Sequence, residues 1–304
     1  MKRFYSHGKL LLTAEYVVLD GAKALALPTK FGQSLEIESI NQPKLLWQSF
    51  DYKNNIWFEA NYTLEHNTIN LNKTNNETIA LKLLEILTAA KQLNPMFLSE
   101  INGFKAIAKL EFPNDWGLGS SSTLLNNIAQ WALVDAFNLS NATFGGSGYD
   151  IACAKNDTAI AYSIIDNKPK IERISFNKNF ENKLFFVHLN RKQNSRDSIK
   201  TYNNNKSNSA CTIEKINAIS NQVLNCDTLK TFETLISEHE NLIGTITKQT
   251  PIKTRLFKDY KNEIKSLGGW NGDFVLATGE KGYVESYFKN KGYTTILDYK
   301  DMVL

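Results

Sequence analysis

The sequence predicts an α+β chain of two lobes, and three observations carry that reading. Along its 304 residues, segments of alternating apolar and polar residues occur beside segments of helical spacing. The two kinds do not alternate as regular βαβ units, so a single parallel sheet is not expected. No internal repeat is present, and the length suffices for one large or two ordinary domains with real cores. We divide the chain into 1–178 and 179–304.

The elements follow in order. Residues 1–40 read as strands with a short turn at Asp20-Gly21, and 44–72 alternate as hairpins do. Ile79, Leu83, Ile86, Leu87 and Ala90 set a helix from Thr78 to Leu93, which Asn94-Pro95 ends. Phe104, Ala106, Ala108, Leu110 and Phe112 alternate with charged residues in a strand over 104–112. Leu125, Ile128, Ala129, Ala132 and Ala136 continue as a helix to about Phe137. A short helix near 150–156, strands at 158–165 and 170–176, and a strand from Leu184 to Leu189 come next. Residues 191–209 are polar and basic, a lid or a solvated loop. Helical patterns cover 211–225, 228–247 and 252–266, before strand 274–278, helix 281–290 and strand 293–298.

Composition narrows the function classes. Hydrophobic residues make 42% and charged residues 22%, as in a soluble globular protein, and the net charge of +4 is too mild and dispersed for a nucleic-acid stripe. The basic start is interrupted by Ser6-His7-Gly8-Lys9 and Glu15, which rules against a signal-peptide core, and no run reaches the length of a membrane span. Cys153, Cys211 and Cys226 are odd in number and far apart, so no disulfide framework or zinc site is indicated; the four histidines show no metal-ligand spacing. The expected compartment is the cytoplasm, with no nucleic-acid or membrane partner, as a monomer or homodimer.

The most informative stretch is Trp116-Gly117-Leu118-Gly119-Ser120-Ser121-Ser122-Thr123. Two glycines let the backbone approach an anion, and a helix starting at the serines points its unpaired N–H groups into the turn. Strand, glycine turn and helix are the context a nucleotide phosphate site requires. A plain turn with a serine-capped helix has the same local sequence. The lysine-bearing G-x-x-x-x-G-K-[ST] loop is absent, so a lysine must come from elsewhere.

Three further segments, in matching order, resemble the GHMP kinases (galactokinase, homoserine, mevalonate and phosphomevalonate kinases). Residues 6–21, from Ser6-His7-Gly8-Lys9 through Ala14-Glu15-Tyr16 to Gly21, are similar to the first motif, Pro-Gly-Lys followed by apolar residues and Gly-Glu. The octet matches the second motif, the ATP-phosphate loop. Gly146-Ser147-Gly148-Tyr149-Asp150 resembles the Ser-Gly-x-Asp segment that bears the catalytic aspartate of mevalonate and phosphomevalonate kinases. Lys265-Ser266-Leu267-Gly268-Gly269-Trp270-Asn271-Gly272-Asp273 resembles the glycine-rich third motif. The chain departs from the pattern at His7 (usually proline), at Ala14 (glycine), and at Trp270 and Asn271 (glycines). The glutamate that serves mevalonate kinases as a second metal ligand has no clear match, Asp135 being the nearest acidic residue.

The resemblance implies a lobe like domain 2 of ribosomal protein S5 joined to a ferredoxin-like lobe, with the active site in the cleft between. It implies ATP and Mg²⁺ as cofactors and a small, possibly phosphorylated, alcohol as substrate. Lys9 and Asp150 would be catalytic, the lysine near the transferred phosphoryl group and the aspartate at the attacking oxygen. Gly117, Leu118, Gly119, Ser120, Ser121 and Ser122 would bind ATP, with Ser121 on the metal. Glu15, Ser147, Gly148, Arg196, Gly268 and Gly269 would border the substrate, Arg196 through an acceptor's phosphate. The implied activity is phosphorylation of phosphomevalonate or mevalonate in isoprenoid precursor synthesis. Two other outcomes stay open: a GHMP-fold nucleotide-binding or regulatory protein without turnover, and a kinase for another small alcohol such as homoserine or a sugar.

Overall fold

Alternation along the chain sets the first sheet. In the computed structural model, which describes residues 1–65, 68–99, 102–191, 199, 202–203, 210–270 and 272–304, the chain forms two compact units. One comprises Met1–Gly8, Phe31–Asn114 and Gly119–Lys155; the other comprises Lys9–Lys30, Asp115–Leu118 and Asn156–Leu304. Strands β1 (Lys2–Leu11) and β2 (Ala24–Ile40) therefore contribute to both.

In the first unit, β3 (Lys44–Phe50), β4 (Ile56–Glu65), β5 (Thr68–Thr74) and β6 (Gly103–Leu110) join the second half of β2 in the order β5-β4-β3-β6-β2. β3 and β6 are parallel; the other neighbours are antiparallel. That one parallel pair is possible because the intervening β4, β5 and helix α1 (Glu77–Leu93) return the chain to the starting edge. One sheet face, with Leu35, Trp47, Phe58, Tyr62 and Ala106, packs on Leu83 and Leu87 of α1 and on Leu125 and Ile128 of α2 (Ser120–Ala132). The buried Tyr62 hydroxyl donates to the Ala80 carbonyl at 2.9 Å. Helices α3 (Ala136–Thr143) and α4 (Tyr149–Ala154) complete the unit.

In the second unit, residues Ala24–Ala26 of β2 pair with β7 (Ile160–Ile165), which pairs with β8 (Lys168–Arg173). A separate antiparallel sheet holds β9 (Leu184–His188), β10 (Ile264–Ser266), β11 (Phe274–Thr278) and β12 (Ile296–Asp298) in the order β10-β11-β9-β12. Its helices are α5 (Ala210–Asn225), α6 (Leu229–Thr247), α7 (Ile252–Leu256), α8 (Lys281–Asn290) and α9 (Tyr299–Met302). Phe185, Val187, Phe257, Ile264, Val275 and Phe288 form a core between sheet and helices.

Two expected elements are corrected. The helix expected through Phe137 stops at Ala132, where Leu133 turns left-handed (φ 55°) and its N–H bonds back to Ala129 and Gln130; Asp135 then caps α3. The helix expected over 252–266 is only α7, because Ile264–Ser266 pairs in register with Val275–Ala277 of β11. Among the described residues no helix is long and apolar enough to cross a membrane.

Candidate active site

The octet is shared by the two units, Trp116–Leu118 belonging to one and Gly119–Thr123 to the other. Gly117 (φ 66°) and Gly119 (φ 85°) both hold left-handed backbone, which is why this turn calls for glycine. Gly119 is the N-cap of α2 and brings no side chain to its first-turn amides. The positive end of the helix is thus presented through backbone alone, the arrangement that suits an anion.

The hydroxyls that follow divide their tasks. Thr123 donates to Gln33 Oε1 at 2.6 Å and so ties α2 to β2. Ser122 is buried, and its Oγ donates to Asp150 Oδ2 at 2.6 Å. Ser120 is half-buried and Ser121 exposed, both in the first turn. Asp150 reaches Ser122 because Gly145, Gly146 and Gly148, with φ of 66°, 94° and 78°, turn the chain sharply into α4. Gly148, not Asp150, is the N-cap of α4; Asp150 sits within the first turn and its Oδ1 accepts from the Ile151 N–H at 3.1 Å. Ser147 and Gly148 are half-buried beside it. Asp135 is engaged as the cap of α3, accepting from the amides of Phe137 and Asn138, with Lys155 at 3.8 Å.

In the other unit, Lys9 does not simply face outward from its strand. Its amide donates to the Leu118 carbonyl at 2.9 Å and its Nζ to the Gly117 carbonyl at 2.9 Å. The Asp273 carboxylate lies against Gly117 so closely that any Cβ there would collide with it, and a Cβ on Gly268 (φ 59°) would come 3.8 Å from Asp273 Oδ2. Lys9, Gly117, Leu118, Gly268 and Asp273 are therefore brought together.

Glu15 is fully enclosed. It pairs through Oε1 with the buried Lys265 Nζ at 2.5 Å, and Lys265 also lies 3.6 Å from Glu240 Oε1. Burial with a second carboxylate nearby pushes the Glu240 carboxyl up to about 7 despite the lysine, and burial raises Glu15 as well. His239 Nε2 accepts from the Ala14 amide at 2.9 Å, and burial beside Lys265 holds the ring neutral, well below the usual histidine range. Its 3.4 Å approach to Glu15 Oε2 is accordingly not an ion pair. Next to this cluster, the Tyr16 hydroxyl donates to the Gly269 carbonyl at 3.0 Å. Trp270 is buried in left-handed backbone (φ 67°), so the fold accommodates its indole. Arg196 and Asn271 lie outside the described residues.

Sequence reasoning assigned no role to Lys265, His239 or Glu240, and took Asp273 only as the end of the glycine-rich segment expected to border the substrate and phosphates. The signal for the helix pair was present: Phe232, Ile236, His239, Glu240 and Ile243 fall on one apolar stripe of α6, where a polar residue implies a buried partner. The Asp273–Gly117 contact joins residues far apart along the chain, which spacing does not show.

No protein-family model and no curated protein matches the chain. Solved structures do. It resembles the Methanococcus jannaschii mevalonate kinase with TM-score 0.70 at 14% identity, over 97% of this chain and 96% of that one. Against Streptococcus pneumoniae phosphomevalonate kinase, solved with phosphomevalonate and AMPPNP, the TM-score is 0.72 at 15% identity over 96% and 98%. Against Lactococcus lactis galactokinase with galactose it is 0.67 at 13% identity over 97% and 92%. The fold is that of the GHMP kinases, within the α+β class that the sequence predicts.

The backbone of the octet has the features that suit a phosphate anion. Two left-handed glycines, an uncapped helix start and Lys9 suit a polyphosphate. Among the described residues no group of three or more His, Cys, Asp or Glu gathers for a metal, so an ion here would draw its ligands mainly from substrate oxygens, water and a hydroxyl such as Ser121.

Proposed function

We propose that this protein is an ATP- and Mg²⁺-dependent kinase of small alcohols, of the GHMP type, with phosphomevalonate or mevalonate as acceptor. The observation that carries the reading is the Ser122–Asp150 hydrogen bond, which links the aspartate of one motif-like segment to the helix start of another, 28 residues away. Two unrelated surface turns have no reason to converge on a short hydroxyl–carboxylate contact. The fold supports the same reading, as does the nucleotide analogue in the pneumococcal structure it resembles.

In this reading Asp150 accepts the proton of the acceptor hydroxyl as that oxygen bonds to the γ-phosphorus and the bond to the ADP oxygen breaks. Gly117, Leu118, Gly119, Ser120 and Ser121 wrap the phosphates, and Lys9 offsets their charge. Ser121 would help to hold Mg²⁺, which when bound would supply neutralisation of the charge that builds on the phosphate oxygens. Ser147, Gly148, Gly268 and Gly269 border the acceptor, Glu15 holds the first motif in shape, and Arg196 meets an acceptor phosphate, favouring phosphomevalonate.

A second reading, nucleotide binding without turnover, is favoured by one observation: Trp270, buried in left-handed backbone, stands where the third motif has glycine. The deciding experiment is ADP release over mevalonate, phosphomevalonate, homoserine and common sugars, repeated with Asp150→Asn. Turnover by the wild type and a fall of about 10²-fold or more in kcat, with the thermal midpoint kept, are expected for the kinase. Equal turnover in the variant removes Asp150 from the chemistry, and ATP-induced stabilisation with no turnover on any acceptor selects the second reading.

A further inference from the structure

We infer that Ser122 is a positioning residue for Asp150 rather than a ligand of the nucleotide; the inference rests on the proposed role of Asp150. Ser122 and Ser121 are neighbours in sequence but differ in what surrounds them. Ser121 is exposed, whereas Ser122 is 7% exposed and its hydroxyl is directed to Asp150 Oδ2 at 2.6 Å. A short O–H···O contact to a carboxylate is among the stronger hydrogen bonds. With its single proton given to Asp150, the hydroxyl has no donor left for a phosphate oxygen.

The contact also fixes geometry. Asp150 is half-buried in the first turn of a helix of only six residues, entered through the left-handed glycines 145, 146 and 148. Cβ atoms added to Gly145 and Gly146 would meet nothing within 4 Å, so the outer side of that turn is open. Two bonds orient the carboxylate: the Ile151 amide on Oδ1 at 3.1 Å, which belongs to the same short helix, and Ser122 on Oδ2, which belongs to α2. Ser122 is thus the described link between the carboxylate and the helix whose start forms the phosphate loop. A base that must meet the acceptor hydroxyl within hydrogen-bond reach depends on such a tether.

The test is a double-mutant cycle with Ser122→Ala and Asp150→Asn, read by ADP release with ATP and R-5-phosphomevalonate, or with mevalonate if that is the acceptor turned over. Ser122→Ala is expected to lower kcat about tenfold or more while the KM for ATP stays within about twofold. In the Asp150→Asn background the same change is expected to add almost nothing, because its route to the chemistry is already gone. Ser122→Thr, which keeps the hydroxyl, is expected to recover most of kcat, and Ser122→Cys, a weak donor of similar size, to fall between. Should the alanine variant fail to fold, the threonine and cysteine variants carry the comparison. An unchanged kcat in Ser122→Ala, a loss confined to the KM for ATP, or an undiminished effect in the Asp150→Asn background each overturns the positioning role. Full activity in Asp150→Asn overturns the role of Asp150 on which the inference rests, and a wild type that turns over no acceptor overturns the kinase reading beneath it instead.

Discussion

At the residue scale, the left-handed positions show what the backbone requires. Ala14 and Trp270, where the motif-like segments depart from glycine, both hold φ 67°. The turn is kept and a non-glycine residue bears its strain, on the order of 1 kcal/mol each. Leu133 is a simpler instance, because it is 86% exposed and sits at φ 55° after α2, with its amide bonded back into the last turn. Replacing it by glycine removes the Cβ conflict and forfeits almost no burial. Leu133→Gly is expected to stabilise the protein by about 1 kcal/mol, seen as a higher midpoint in urea or heat. A midpoint at or below that of the wild type would contradict this account of the turn. The same residue explains a boundary that was illegible in the sequence: nothing between Trp131 and Asp135 is glycine or proline, so apolar spacing ran on as one helix.

At the element scale, α6 shows how much of the second unit rests on polar groups in an apolar stripe. His239 and Glu240 face Ala14, Glu15, Lys265 and Ser266, the last through a 2.9 Å bond from Ser266 Oγ to Glu240 Oε2. The Glu240 carboxyl, raised from 4.5 to about 7, keeps in the folded chain a proton that the unfolded chain has already lost. Its contribution to stability is therefore present below pH 4.5 and lost as pH rises through about 7, a change of about 3 kcal/mol. His239 acts with the opposite sign, since its neutral ring gains a proton on unfolding below 6.5. Glu240→Gln removes the first effect and leaves the second. Relative to wild type, this variant is expected to gain stability between about pH 5 and about pH 8, measured by urea denaturation across that range. A difference that is flat or falls with pH would show that Glu240 is already ionised in the folded protein. The existence of α1, α6, β6 and β11 was legible from periodicity. The end of α7 was not, because the strand that claims Ile264–Ser266 lies later in the sequence.

At the scale of the whole molecule, the compact units alternate along the sequence, one of them joining residues 9–30 to residues beyond 155. Each motif-like segment was legible on its own, down to the glycines of the octet. The pairing of residues 9–30 with residues beyond 155 has no local trace. Thr13 Oγ1 meets Ser220 Oγ at 2.8 Å, and the Lys23 amide donates to Asn217 Oδ1 at 2.7 Å. A fragment of residues 1–155 would retain the first unit and strip residues 9–30 of those partners. Trypsin is expected to cut such a fragment early at Lys23 while the full chain resists there, followed by mass spectrometry. Equal resistance at Lys23 in both would show that this segment does not depend on the later residues. The interleaving also bears on synthesis. Glu15 leaves the ribosome 250 residues ahead of Lys265, a delay on the order of tens of seconds at ordinary elongation rates. Until β7 is made, Ala24–Ala26 lack that neighbouring strand, and through the whole interval an acidic side chain destined for burial waits in water for its counterion. A chain built this way exposes its early segments before their partners exist, and its yield in a cell should depend on what shelters residues 9–30 until the segments that pair with them have been made.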